Sequence, residues 1–418
     1  MGTESLLIDG GHRLSGRVPI EGAKNAALPA CVASLLTDER IILHRIPQLR
    51  DVSTILFTLT DLGKRVVRRG TSVIMSGDRP LSQEANAYSV RQMRASFLVL
   101  GPLIARLGRA VVPLPGGCAI GERAVDLHLS ALQKMGASVE VRGQVARVEA
   151  ERLRGARIDL AFPSVGATEQ ILMAATLANG ETQIANAAVE PEVMDLVALL
   201  RKMGAEIEHA GRRFRVTGTD RLRGAEHSVI SDRMEAGTYL LAGAMAGGEV
   251  AIDGVNPEHL APFLGVLEEA GINVRAEAGS LFVSGDGECR GVRVETGPHP
   301  AFPTDLHPPL AALLTLADGT SSVKETVFER RHTYADGLRT MGAQIAIHGS
   351  DVTISGVRGL RGHSLVAPDI RSGAALVLAA VAARGESEVA GLETIDRGYA
   401  ALEAKLRGLG ARIERRTR

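Results

Sequence analysis

Tryptophan is absent from this 418-residue sequence, and aromatic residues together make up only 3% of it. A chain so poor in aromatic faces has little on which unpaired bases could stack, which excludes a platform for single-stranded nucleic acid. Excess charge is missing too: 48 Lys and Arg stand against 48 Asp and Glu. That balance argues against broad binding to nucleic acid or to an anionic membrane, while leaving room for a local basic pocket around a small anion. No run approaches the ~20 apolar residues of a membrane-spanning helix. The start, MGTESLLIDGGHRLSG, lacks a basic segment followed by an apolar one, so no signal peptide is expected. Cysteine is scarce: Cys31, Cys118 and Cys289 are far apart, odd in number and outside any CxxC pair. They offer neither a disulfide framework nor a zinc pattern, and free thiols in the cytoplasm are the simplest expectation.

What the chain does have is length and small apolar residues. It is 45% hydrophobic and 23% charged, as a globular protein should be. Its length suits two domains of roughly 200 residues each. One octamer recurs six times: LTDLGKRV from Leu59, LQKMGASV from Leu132, LRKMGAEI from Leu200, LEEAGINV from Leu267, LRTMGAQI from Leu338 and LRGLGARI from Leu406. The glycines, Gly63, Gly136, Gly204, Gly271, Gly342 and Gly410, are spaced by 73, 68, 67, 71 and 68 residues. Leu with Leu, Met or Ala three residues on forms the apolar stripe of a last helical turn. The glycine takes the left-handed conformation that ends it, and a strand follows. About midway between octamers, Ala-rich stretches such as AATLANGETQI from Ala174 and LVLAAVAARGESEV from Leu376 predict a close-packed helix running through a turn into a strand. The unit reads β-α-β-α-β-β. Units of ~70 residues are too long for a solenoid, so three per domain is the expected arrangement.

Several segments carry residues suited to chemistry. In VPIEGAKNAALP, Lys24 and Asn25 open a helix, where backbone N–H groups and the helix dipole favour an anion; a solvated lysine is the plain alternative. The segment PLPGGCAIGER, from Pro113, is too rich in glycine and proline for a helix and places Cys118 on a loop near Arg123, which favours a thiolate. Asp126 and His128 follow on the next helix. Ser164 precedes Val165-Gly166-Ala167 at a further helix start, suited to a phosphate or simply to capping. In PHPAFPTDLHPP, Asp305 either caps a helix or serves as a carboxylate base. Arg371 in PDIRS and Arg397 in IDRGY are placed at helix starts, where a cation opposes the dipole and suggests a bound anion.

In order along the chain, GAKNAALP, VRQMRAS, PGGCAIGERAVDLHL, PSVGAT, PHPAFPTDL, ETVFE, PDIRS and IDRGY closely resemble the UDP-N-acetylglucosamine enolpyruvyl transferases (1-carboxyvinyltransferases) over essentially the whole sequence. The resemblance implies an α/β (α+β) fold, the two-domain inverse α/β barrel. It has six repeats, one domain of residues 22–230, a second of 1–21 plus 231–418, and an active site in the cleft between them. It implies transfer of the enolpyruvyl group of phosphoenolpyruvate to the 3'-hydroxyl of UDP-N-acetylglucosamine, the first committed step of peptidoglycan synthesis. The protein would be a cytoplasmic monomer with these small molecules as partners, neither nucleic acid nor membrane, and no cofactor or metal.

The implied roles are specific. Lys24, Arg123 and Arg397 hold the phosphate and carboxylate of phosphoenolpyruvate, and Arg94 and Arg371 add positive charge. Asp305 is the base at the sugar hydroxyl. Cys118 protonates the methylene carbon and is the residue fosfomycin-like epoxides alkylate. Asn25 lies with Lys24 at the junction of phosphoenolpyruvate and sugar, and Arg123, Ala124, Val125, Asp126, Leu127, Ser164, Val165 and Val327 line the nucleotide-sugar side. The sequence departs from the family pattern at Phe162, Ala124, Arg330 and His332, which bears on the acceptor. A secondary-metabolism transferase using another uridine nucleotide, a shikimate-3-phosphate enolpyruvyl transferase and a non-catalytic nucleotide-sugar-binding paralogue are the alternatives. The loop PGGCAIG argues against the second, and the presence of Lys24, Cys118, Asp305 and Arg397 argues against the third.

Overall fold

The computed structural model describes residues 4–116, 125–285 and 289–417. The chain divides into two compact units, a continuous one within residues 22–230 and a split one built from the residues up to 21 and those from 231 onward. Among the described residues each contains three sheets, five of the six four-stranded on one plan; in the sixth, around Arg109–Pro113, the parallel edge is reduced to a bridge between Glu84 and Val111. In the sheet of the third octamer, strand Arg157–Asp159 lies parallel to Glu181–Ala185, which pairs antiparallel with Arg213–Thr217, itself antiparallel to Glu206–Ala210. Helix Val165–Ala175 links the first two strands and helix Pro191–Lys202 the next pair, so the unit runs β-α-β-α-β-β. The sheet built on Arg293–Glu295, Thr320–Lys324, Asp351–Ser355 and Gln344–His348 repeats it with helices His307–Leu314 and Ala335–Thr340.

Closure alters the plan once in the continuous unit and twice in the split one. In the continuous unit the parallel edge beside Ile41–His44 comes from the far end of the segment, Ala225–Ser228. In the split unit Gly16–Pro19 supplies the parallel edge beside Glu249–Asp253. Strand Glu4–Asp9 sits between Glu386–Ala390 and Arg412–Thr417, filling the position a final strand would hold. The two crossings are pinned within their own units, by Ala23 N–H to the Ile230 carbonyl (2.7 Å) and Asp232 N–H to the Glu21 carbonyl (3.0 Å).

The six octamers behave alike. All six glycines have positive φ, from 83° at Gly271 to 114° at Gly63. Each glycine N–H bonds back to the carbonyl three residues earlier, as Gly204 does to Arg201 (2.9 Å). In five of them the residue after glycine also donates to the octamer's leucine carbonyl, as Ala205 does to Leu200 (3.0 Å). These are the paired bonds that satisfy the last carbonyls of a helix. The six leucines are fully buried, and the Leu, Met or Ala three residues on is at most 1% exposed. Replacing such a leucine with alanine typically costs about 2–5 kcal/mol.

Helices Arg233–Ala246, His307–Leu314 and Ile370–Ala382 pack together at the centre of the split unit. They are buried nearly all round, as helices without a polar face must be. Small residues permit the approach: a Cβ on Gly237 would lie 2.7 Å from a Leu306 methyl. The turn that carries Asp305 is thereby seated directly on the first of these helices.

Candidate active-site residues

Asp305 lies in the 3-10 turn Thr304–Leu306, ahead of helix His307–Leu314. It does not cap that helix, and neither the turn nor the helix has a side-chain cap. Each of its oxygens takes a guanidinium instead. Oδ1 accepts from Arg331 Nη2, while Oδ2 accepts from Arg371 Nε (3.0 Å) and lies 2.9 Å from Arg371 Nη2. The arginine side chains are 2% and 4% exposed and that of Asp305 26%. Two buried cations thus hold an anion with an open side.

Arg371 is the second residue of helix Ile370–Ala382. Asp369 caps this helix, accepting from the N–H groups of Arg371 (2.9 Å) and Ser372 (3.1 Å). The carboxylates of Asp369 and Asp305 offset the cost of a cation at a helix start. The Arg371 guanidinium lies over the Tyr399 ring (5.2 Å), and its Nη1 is buried with no hydrogen-bond partner among the described residues. Arg397 requires a correction. It does not open a helix: helix Leu392–Ile395 ends before it and the next begins at Leu402. The left-handed Ala401 (φ 49°) precedes that second helix, which starts only at Leu402. Arg397 instead follows a helix C-terminus, which favours a cation. Val327 sits in a turn whose N–H groups are held by Glu325 Oε1.

In the continuous unit, Lys24 opens helix Lys24–Ala33 and is 7% exposed, with Nζ 3.3 Å from Asp51 Oδ2. It is therefore not the solvated lysine of the plain alternative; its neighbour Asn25 is exposed. Arg94 begins the 3-10 helix Arg94–Val99. Val125, Asp126 and Leu127 stand at the start of helix Asp126–Lys134. His128 on that helix bonds through Nδ1 to Gln170 Oε1 (3.0 Å), and a Cβ on Gly166 would lie 3.3 Å from its Cε1. The structure thus brings His128 beside Gly166 and Gln170. Ser164 caps helix Val165–Ala175 through Ala167 N–H (3.4 Å). Phe162 is 41% exposed and Arg330 is exposed, so both departures from the family pattern face outward. Cys118, Arg123 and Ala124 lie outside the described residues.

Burial pushes the His128 imidazole down to about 4, helped by the Arg94 charge and opposed by the Gln170 hydrogen bond and Asp126. A folded value below the ordinary 6.5 means the native state binds fewer protons than the unfolded chain. The associated stability is complete above pH ~6.5 and is lost as pH falls toward ~4, amounting to about 3 kcal/mol. His128→Gln should flatten the stability–pH curve in that window, as read by chemical denaturation at each pH. An unchanged slope would show that His128 is not the group responsible.

Arg331, Glu325 and Asp51 escape a reading of sequence. Arg331 follows another arginine in FERRH, and nothing in the sequence says which of the two turns inward.

Two units of three β-α-β-α-β-β repeats, each with sheets around buried helices, define the inverse α/β barrel of the enolpyruvyl transferases. The profile of the EPSP synthase (3-phosphoshikimate 1-carboxyvinyltransferase) family matches residues 8–406. The chain belongs to this family of carboxyvinyl transferases. It is 47% identical over 415 residues to UDP-N-acetylglucosamine 1-carboxyvinyltransferase 2 of Carboxydothermus hydrogenoformans, covering 99% of each chain. It is 46% identical to UDP-N-acetylglucosamine 1-carboxyvinyltransferase 1 of Halalkalibacterium halodurans, covering 99% of this chain and 94% of the other. Among solved structures, the enolpyruvyl transferase NikO from Streptomyces tendae superposes with a TM-score of 0.91 at 24% identity, covering 100% of both chains. EPSP synthase from Acinetobacter baumannii superposes with a TM-score of 0.78 at 19% identity, covering 99% of this chain and 100% of that one. Among the described residues no helix is long and apolar enough to cross a membrane.

Proposed function

We propose that the protein transfers the enolpyruvyl group of phosphoenolpyruvate to the 3'-hydroxyl of UDP-N-acetylglucosamine and releases phosphate. The observation that carries this reading is the 45–47% identity, over nearly the full length, to relatives named for that acceptor. In this proposal Asp305 takes the proton of the sugar hydroxyl as its oxygen bonds to C2 of phosphoenolpyruvate. Cys118 delivers a proton to C3. The tetrahedral adduct then loses a C3 proton and expels phosphate, restoring the double bond. Lys24, Arg123 and Arg397 bind the phosphate and carboxylate, and Arg94 and Arg371 add positive charge. The Arg371 guanidinium, held between Asp305 and the Tyr399 ring, keeps a fixed positive charge, which supports that role. Asn25, Ala124, Val125, Asp126, Leu127, Ser164, Val165 and Val327 line the nucleotide-sugar side. The protein acts as a cytoplasmic monomer in cell-wall synthesis.

The test is phosphate release from phosphoenolpyruvate with UDP-N-acetylglucosamine, UDP-glucose, UMP and shikimate-3-phosphate in parallel. Turnover is expected with the first at a kcat/KM at least about 10²-fold above the others, since a site built to bond a substrate's polar groups rejects analogues lacking them. A preference for UMP or shikimate-3-phosphate would overturn the acceptor assignment.

A further inference from the structure

The segment Glu325–Arg331 grips the turn that carries Asp305 at several points. Arg331 Nε donates to the Thr304 carbonyl (2.9 Å), in addition to its bond with Asp305. The other grip is Glu325, which is 5% exposed and belongs to no role assigned above. Its Oε1 accepts from the N–H groups of Val327 (2.9 Å) and Phe328 (3.1 Å). Its Oε2 accepts from Thr304 Oγ1 (3.0 Å) and from His307 Nδ1 (2.9 Å). Thr304 and His307 flank Asp305 on either side.

Hydrogen-bond accounting fixes the states of this cluster. An ionised carboxylate only accepts, so His307 must carry its proton on Nδ1. His307 Nε2, 2.8 Å from the Tyr334 hydroxyl, then accepts from it. Burial pushes Glu325 up, but the bond from His307 and the two loop amides outweigh it and hold the carboxyl below its usual range. Burial pushes His307 down, against the pull of Glu325, and keeps the ring neutral. His307 and Tyr334 are fully buried, so no water competes for these bonds. Each polar atom of the chain Tyr334–His307–Glu325 has a partner, as a buried network must if it is to be rigid.

We infer that Glu325 is a positioning residue for enolpyruvyl transfer: one buried carboxylate sets both the Asp305 turn, through Thr304 and His307, and the Val327 turn, through two backbone amides. This rests on the proposed roles of Asp305 and Val327. Displacing a catalytic group by about 1 Å can cost ~10²-fold in rate. A single hydrogen bond is worth about 1 kcal/mol, or about fivefold.

The experiment measures kcat and KM for each substrate in Thr304→Val, Thr304→Ser and Glu325→Ala, well below their melting temperatures. Thr304→Val keeps the shape and removes one bond to Glu325. It should lower kcat about fivefold without raising KM for the nucleotide sugar, and Thr304→Ser should restore kcat. Glu325→Ala removes both arms and should lower kcat about 10²-fold and raise that KM about tenfold. A purely stabilising role would lower melting temperature and leave both constants unchanged. Wild-type kcat in Thr304→Val overturns the inference even if Glu325→Ala does not fold, as does wild-type kcat and KM in folded Glu325→Ala. Equal loss in Thr304→Ser and Thr304→Val overturns it too. If Asp305→Asn is inactive while Thr304→Val is unimpaired, only this inference fails. If wild-type protein turns over none of the acceptors, the proposed function fails.

Discussion

Asp305→Asn is expected to lower kcat by about 10²–10⁴-fold, the usual loss when a general base is removed. Nucleotide-sugar binding should survive largely intact. The amide has nearly the carboxylate's shape and can still accept one hydrogen bond, but it cannot take a proton. The structure adds a second consequence. Arg331 and Arg371 are both nearly fully buried and share Asp305 as a counter-ion. Neutralising it leaves two buried cations short of a partner, and breaking such a pair by removing one member costs about 3–5 kcal/mol. The melting temperature should therefore fall as well. Turnover and binding must be compared at a temperature where calorimetry shows the variant folded. Near-normal kcat under those conditions would mean that another group accepts the hydroxyl proton. Loss of nucleotide-sugar binding in parallel with kcat would mean that Asp305 chiefly holds substrate.

The repeat was legible because its signal is local. Helix stop, left-handed glycine and strand start fall within eight residues, and backbone geometry demands that order at each of the six copies. The Ala-rich helices were legible as buried because they lack a polar face. The charged cluster was legible only in part. Asp305 and Arg371 could be singled out by motif, yet they meet over 66 residues of sequence, and their third member gave no sign of itself. Arg331 and Arg330 are adjacent and chemically identical; burial alone separates them. Glu325 stood inside the ETVFE motif with no role of its own, since two of its four bonds cross to Thr304 and His307 and only the fold assembles them. Arg397 was misplaced because the helix it was expected to open starts only at Leu402, after the left-handed Ala401, and nothing in the local pattern marks that delay.

The remaining prediction turns on thiol chemistry. Alkylation by an epoxide needs the thiolate, so reactivity follows the fraction ionised. Cys31 lies within helix Lys24–Ala33, fully buried, and burial pushes its thiol up to about 12 despite the charge of Arg68. Cys289 is partly buried, and burial pushes it up to about 11. Near pH 8 these values leave on the order of one thiolate in 10⁴ and one in 10³. Cys118, on a glycine-rich segment five residues from Arg123, is the thiol expected to react. Peptide mapping after treatment with a fosfomycin-like epoxide should find the label on Cys118. Label on Cys31 or Cys289 would contradict this. If Cys118 also supplies the proton to C3, Cys118→Ala should lower kcat by about 10²–10⁴-fold. Cys118→Asp restores an acid at the same place but offers no sulfur nucleophile. It should regain much of the turnover and become insensitive to the epoxide. Cys118→Ala with unimpaired turnover would remove the residue from proton transfer. An inactive Cys118→Asp that still binds both substrates would show that acidity at this position is not enough.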